Sequence, residues 1–131
     1  MLLIGANSPR AMARVGKWGD GFIAGGGGPD MAKQSYDAAR QSWKDAGREG
    51  EPRLAAGAYF ALDDDAKSRG AENIMHYYGE PFGPMISEGL PDSVDAVKEL
   101  ISGFSDAGCD ELILWPTVTD LDQVERLAEL I

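Results

Sequence analysis

Two short apolar runs near the N-terminus each end in a loop that opens a helical pattern. Residues 2–4 lead into Gly-Ala-Asn-Ser at positions 5–8, and residues 21–24 lead into four consecutive glycines at positions 25–28. Strands that alternate with helices pair in parallel, and such strands all end at one edge of the sheet. The two loops are therefore expected to lie side by side and to form part of one ligand site.

The alternation of strands and helices continues to the end of the chain. Apolar runs at residues 53–62 and 111–115 predict a third and a fourth strand. Helical patterns follow each strand, and the first begins with Ser8 as the cap and Pro9 at the first helical position. The other predicted helices cover residues 29–46, 66–78, 93–107 and a final segment from about 121 to 130. This pattern predicts an α/β fold of four successive strand and helix units.

Helical spacing also predicts which side chains face the core. In the second helix these are Met31, Tyr36, Ala39 and Trp43, and in the last helix they are Leu121, Val124, Leu127 and Leu130. Residues 79–91 contain three prolines and three glycines, so we expect an irregular excursion there with at most a short helical turn.

Composition limits the class of protein and its partners. The chain has 131 residues, of which 44% are hydrophobic and 26% are charged, as in an ordinary globular domain. Its net charge of −10 disfavours nucleic acid and anionic membranes as partners. The sequence shows neither a membrane span nor a signal peptide, which favours the cytoplasm. With one cysteine, Cys109, and one histidine, His76, we expect no metal site.

Three segments in this order closely resemble one enzyme family. They are LLIGANSPRAMARVGKWGDGFIAGG at residues 2–26, PRLAAGAYFAL at 52–62 and DAGCDELILWP at 106–116. Together they resemble the C-terminal half of the luciferase-like monooxygenases, which are FMN- or deazaflavin (F420)-dependent oxidoreductases built on a (β/α)8 TIM barrel. The resemblance implies that residues 1–131 are a partial luciferase-like domain, the last four β/α units of such a barrel with parallel strands.

A complete barrel takes about 250 residues, so about half of one is absent from this chain. Two interpretations of the missing half stay open. The chain is a fragment of a longer protein, which is the reading that we favour, or it is a half-barrel that covers its open edges by forming a homodimer. In the first case its partner is the missing N-terminal half.

The first loop has the residues of a phosphate site. Gly5 lets a ligand approach the backbone, and the amides of Ala6, Asn7 and Ser8 precede a helix N-terminus, where the helix dipole favours negative charge. Arg10 is a candidate charge partner. The resemblance implies that this loop contacts the cofactor phosphate, whereas the plainer interpretation is a tight turn and a good helix start.

The glycine run is the second candidate. It lacks the Lys-Ser/Thr of a nucleotide P-loop and does not fit the dinucleotide pattern. The resemblance supports Gly25 and Gly26 as cofactor contacts, because this loop lies at the rim where barrel active sites are built. The alternative is a flexible connection into the next helix.

The other chemical candidates are weaker. We expect His76 to lie on the surface or to be partly packed, Cys109 to be inert and the acidic run at residues 63–65 to cap a helix. Trp115 at the end of the fourth strand packs either against a cofactor or substrate or into the barrel core, and the same alternatives hold for Tyr59 and Phe60. We identify no catalytic residue.

The resemblance predicts the C-terminal part of a flavin- or deazaflavin-dependent oxidoreductase or monooxygenase that acts on a small organic substrate. Its cofactor is FMN or F420. The alternative is a non-catalytic truncated half-barrel that dimerises or that binds a phosphorylated ligand.

Overall fold

A computed structural model of the chain describes residues 1–63 and 65–130. It contains a four-stranded parallel sheet in the order β1 (Leu3–Ile4), β2 (Gly21–Gly25), β3 (Arg53–Phe60) and β4 (Glu111–Pro116). In the ladder between β1 and β2, Leu3 is aligned with Gly21, and in the next ladder Gly21 is aligned with Arg53. The four predicted strands are confirmed, although β3 ends two residues earlier than expected.

Six helices occupy the described residues. They are α1 (Pro9–Trp18), α2 (Pro29–Asp45), α3 (Ala66–Tyr78), α4 (Phe82–Glu88), α5 (Val94–Asp106) and α6 (Asp122–Ala128). The predicted start of α1 is confirmed, because the Ser8 side chain accepts a hydrogen bond from the amide of Ala11 at 3.3 Å. Within these residues no helix is both long and apolar enough to cross a membrane.

Residues 79–91 are more regular than predicted, because the segment contains the seven-residue helix α4. Tertiary packing explains the difference. Ile86 packs against a buried cluster that includes Ala66, Ile74 and Leu90. Gly83 lies so close to α3 that a Cβ there would come within 2.6 Å of the Met75 sulfur. The burial of this face stabilises a helix that the local sequence does not favour.

The chain divides into two compact units. Unit 1 consists of residues 1–58 and 102–113, and unit 2 of residues 59–101 and 114–130. Each unit has its own buried side chains.

The core of unit 1 is organised around Tyr36 of α2. The Tyr36 hydroxyl donates to the carbonyl oxygen of Ala55 at 3.1 Å, and its ring meets Phe22 edge-on with 6.1 Å between centroids. Burial, and then contact with Cys109, raises the pKa of Tyr36. Ala39 and Trp43 are buried as predicted, but the prediction for Met31 was wrong, because 61% of this residue is exposed. Met31 lies in the first turn of α2 beside Gly27 rather than over the sheet.

Close packing of α1 on α2 depends on Gly16. Its amide donates to the Ser42 hydroxyl at 3.1 Å, and that hydroxyl donates to the carbonyl oxygen of Met12 at 2.9 Å. A Cβ on Gly16 would overlap with the Ser42 carbonyl group. A hydrogen atom at this position therefore sets the distance between the two helices.

In unit 2, a buried glutamine joins α6 to the chain just beyond β3. Gln123 is fully buried, and its amide group accepts from the Leu62 amide at 2.7 Å and donates to the Leu62 carbonyl oxygen at 3.1 Å. This pair satisfies both backbone groups of Leu62, as a neighbouring strand would.

The predicted apolar stripe on the last helix is only partly correct. Leu127 and Leu130 pack against a core of Phe60, Leu62 and Val97. Leu121 and Val124 are instead 83% and 54% exposed. Because α6 begins only at Asp122 and is held by Gln123, its buried face turns away from these two residues.

Two exposed ion pairs connect elements of unit 2. Arg69 contacts Asp120 at 2.7 Å, and Lys67 contacts Asp92 at 2.9 Å. The hydrogen bonds from these cations lower the pKa of Asp120 and of Asp92. Each carboxylate thus favours the folded state while it is ionised.

The first prediction concerns acid stability. Because the pKa of Asp120 is lower in the folded chain, its stabilising contribution is complete above the unfolded pKa of about 4 and is lost as the pH falls through the folded pKa. We expect Asp120→Asn to flatten the decrease in unfolding free energy between about pH 5 and pH 3. Denaturant unfolding at several pH values measures this.

The control is Arg69→Gln, which should have the same effect as Asp120→Asn, with no further change in the double variant. Additive effects of the two substitutions would contradict the assignment to this pair.

The second prediction concerns helix packing in unit 1. Gly16→Ala places a methyl group against the Ser42 backbone and should lower the unfolding free energy by about 1–3 kcal/mol. The matched control is Gly89→Ala at the end of α4, where the added Cβ would lie 3.8 Å from the nearest atom. Urea denaturation of both variants checks this, and equal losses would contradict the proposed role of Gly16.

Candidate functional site

The two predicted loops lie at the same edge of the sheet, where β1 and β2 end. Because β1 and β2 pair in parallel, the loop at residues 5–8 and the loop at residues 25–28 leave neighbouring strands in the same direction. A Cβ on Gly5 would lie 3.7 Å from the carbonyl oxygen of Ile23 in the adjacent strand. The expected proximity of the two loops is confirmed, whereas their binding of phosphate stays a prediction.

The first loop offers hydrogen-bond donors that the fold does not use. Among the described residues, the backbone amides of Asn7 and Ser8 donate no hydrogen bond. The Ser8 oxygen accepts from Ala11, which leaves the hydroxyl proton as a further donor. These groups precede the positive end of the α1 dipole, where an anion is favoured.

The second loop offers an uncovered backbone. Gly26 and Gly27 have φ values of +70° and +79°, a conformation that side chains other than glycine rarely adopt. Atoms added as Cβ to Gly25, Gly26 or Gly28 would meet nothing within 4 Å. A ligand can therefore approach this backbone closely. Gly27 differs, since its Cβ would lie 2.7 Å from the Met31 sulfur.

The charges beside the two loops have opposite signs. Arg10 is exposed in the first turn of α1, which has no acidic residue, whereas Asp30 lies in the first turn of α2. Amides and a hydroxyl form a donor set that suits phosphate oxygens, and Arg10 adds a positive charge to the helix turn that follows the loop. The first loop is therefore the stronger candidate for the anion, and the second provides an open backbone next to it.

A groove between α1 and α2 begins at the first loop and was not predicted. It has a volume of about 960 Å³, and its near end is lined by Ala6, Asn7 and Ser8. Its far end is lined by Lys17, Asp45 and Arg48. The groove results from the packing of two helices against each other. The periodicity of apolar residues within one helix does not predict such packing. The sequence signal that could have suggested close helix packing is Gly16 in the middle of a helical pattern.

Aromatic side chains meet near the ends of β3 and β4 in unit 2. The ring of Tyr59 lies 5.8 Å from Trp115, and the hydroxyl groups of Tyr59 and Tyr78 are 2.9 Å apart. The hydrogen bond with Tyr78 and then burial raise the pKa of Tyr59 to about 12. Trp115 thus packs on Tyr59 but stays 42% exposed, while Phe60 belongs to the core.

The remaining candidate residues lie in surroundings that indicate a structural role. His76 is exposed on α3, and the Cys109 thiol lies 3.2 Å from the carbonyl oxygen of Glu111. The Asp63 carboxylate accepts from the Ala66 amide at 2.6 Å and thereby caps α3. Asp64, also part of the predicted cap, lies outside the described residues. No group of three or more metal-binding side chains converges within residues 1–63 and 65–130.

Solved structures share this fold. An F420-dependent secondary alcohol dehydrogenase matches 97% of this chain with a TM-score of 0.73 and 14% identity. An F420-dependent tetrahydromethanopterin reductase from Methanopyrus kandleri matches 96% with a TM-score of 0.62 and 18% identity. A riboflavin lyase with modified FMN and riboflavin matches 96% with a TM-score of 0.65 and 13% identity.

The chain spans about half the length of these proteins, since the matches cover 46%, 47% and 40% of their chains. Its four-stranded parallel α/β fold therefore corresponds to about half of a luciferase-like TIM barrel, as predicted. No curated protein sequence matches the chain. The family model described as luciferase-like monooxygenase matches residues 2–102, which is most of the sequence. The chain belongs to the luciferase-like monooxygenase family.

Proposed function

We propose that this chain holds the cofactor phosphate of a flavin- or F420-dependent oxidoreductase or monooxygenase. The observation that carries the proposal is the pair of adjacent loops at the ends of β1 and β2, with unused amides in one and uncovered glycines in the other. Membership of a family with F420- and FMN-dependent structural relatives supports the choice of cofactor class.

The role of each residue follows from its chemistry. The amides of Ala6, Asn7 and Ser8 bind phosphate oxygens, and the Ser8 hydroxyl adds a donor. Gly5, Gly25 and Gly26 keep side chains out of the space that the cofactor needs. A bound flavin or deazaflavin supplies the redox chemistry of its ring, while the protein binds and orients it. We assign no catalytic residue to the chain.

The activity of the whole enzyme requires more than this half of a barrel. In family members of full length, the sheet is closed by further β/α units. We propose that residues 1–131 act as a partial luciferase-like domain, completed either by an N-terminal half or by a second copy of the chain. Exposed apolar residues such as Leu2 on unit 1 and Leu121 on unit 2, which are 53% and 83% exposed, support such a partner. The substrate would be a small organic molecule.

The third prediction tests the phosphate loop through Gly5→Asp. A new carboxylate near a phosphate should weaken the binding of FMN or F420 about tenfold or more, because like charges about 4 Å apart repel by about 1–4 kcal/mol. Fluorescence titration measures the affinity, with riboflavin and the unphosphorylated deazaflavin as ligands that lack the charge. The affinity for these two uncharged ligands should be the same in Gly5→Asp and in Gly5→Asn, because the two side chains differ in charge and not in bulk.

Gly5→Asn is the matched control, because it adds similar bulk without charge, and a Cβ at residue 5 makes only ordinary contacts. A wild-type chain that binds neither phosphorylated cofactor would overturn the proposed function. Unchanged affinity of Gly5→Asp for FMN and F420 would remove this loop from the site. Binding of inorganic phosphate without preference for either cofactor would favour a non-catalytic phosphate-binding module.

A further inference from the structure

The groove between α1 and α2 is continuous with the loop that we assign to the phosphate. Ala6, Asn7 and Ser8 belong to that loop and also line the near end of the groove. Lys17 lies eight residues along α1 from Pro9, which corresponds to about 12 Å at 1.5 Å per residue. A ligand that leaves the phosphate along α1 therefore enters an elongated groove of about 960 Å³.

The floor of the groove is closed by the contact between Gly16 and Ser42. Its walls mix flexible apolar side chains with neutral polar ones. The apolar residues include Met12, Ala13, Met31 and Ala38, and the polar residues are Gln34, Ser35 and Gln41. Methionine adapts its shape to irregular partners, and amides both donate and accept hydrogen bonds. Such walls suit a flexible chain that carries amide and carboxylate groups.

The far end of the groove has two cations. Arg48 is held in place because its guanidinium carbon lies 3.5 Å from the Trp43 ring centroid and it donates to the carbonyl oxygens of Gly16 and Gly19. Lys17 is exposed, and its ammonium nitrogen lies 4.8 Å from the Trp18 ring centroid. Within the described residues neither cation takes part in an ion pair.

One acidic residue, Asp45, also lines this end, and its carboxylate accepts from the Gln41 side chain at 2.7 Å. This end of the groove has two cations and one carboxylate, so its charge balance is opposite to that of the whole chain, which has 22 acidic and 12 basic residues. The groove therefore offers a local site for negative charge on an acidic protein.

We propose that this groove binds the anionic tail of a cofactor that continues beyond its phosphate, which selects F420 over FMN. FMN ends at its phosphate, whereas F420 continues through a lactyl group into a chain of glutamates. The tail lies between Met12 and Met31 and brings its carboxylates to Lys17 and Arg48. The inference rests on the proposed function, because the phosphate in the first loop places the start of the tail.

The fourth prediction compares two ligands that differ only in the tail. F420 and the same deazaflavin ending at the methyl ester of its 5′-phosphate, which keeps the phosphate a singly charged diester, are titrated against the 131-residue chain, with fluorescence anisotropy as the readout. The tail should increase affinity about fivefold to tenfold at low salt, as expected for one or two exposed charge pairs, and the gain should shrink at high salt.

Lys17→Gln should remove most of this gain while leaving the affinity for the tail-less phosphate unchanged. The matched control is Lys33→Gln, because Lys33 is an exposed lysine on α2 that does not line the groove. The control should retain the full gain. Equal affinities of the wild type for both ligands, or equal losses in both variants, would overturn the groove assignment and leave the proposed function standing. Failure of both ligands to bind would overturn the groove assignment, and failure of FMN to bind as well would overturn the proposed function.

Discussion

The parallel pairing of β1 with β2 is the constraint on which the candidate site depends. Asp20, just before β2, holds this pair together, since its carboxylate accepts from the Leu2 amide at 2.6 Å and its own amide donates to the Leu2 carbonyl oxygen at 2.8 Å. Gly21 permits the pairing of β2 with β3, because a Cβ there would overlap with the Arg53 backbone. With these strands aligned, their loops leave the sheet side by side.

The same alignment places two helices next to each other. Since α1 and α2 each begin directly after one of the loops, both helix N-termini lie beside the candidate phosphate site. Close packing at Gly16 and Ser42 then forms the floor of the groove that continues from the first loop. The alignment of β1 with β2 thus accounts for the candidate anion site and for the groove next to it. Both lie within unit 1.

Local signals in the sequence were sufficient to predict the strands and most of the helices. Ser8 and Pro9 start α1 as expected, because capping and the fixed φ of proline act within a few residues. The wrong predictions for Met31, for α4 and for Leu121 all have their cause in tertiary packing. Packing decides which side of a helix is buried, and it stabilises α4. The proximity of the two loops followed from strand order alone. Their assignment to a cofactor phosphate came from the family resemblance, and the groove depends on a contact between residues 26 positions apart.

The most direct measurement of the central claim is the change in backbone amide chemical shifts when FMN or F420 is added to the isotopically labelled chain. The account predicts that the largest changes occur at Ala6, Asn7 and Ser8, with further changes at Gly25 and Gly26, and that F420 extends them to Lys17. Riboflavin, which lacks the phosphate, should not affect the first loop to the same extent. Changes confined to unit 2, around Tyr59 and Trp115, with both loops unaffected, would contradict it.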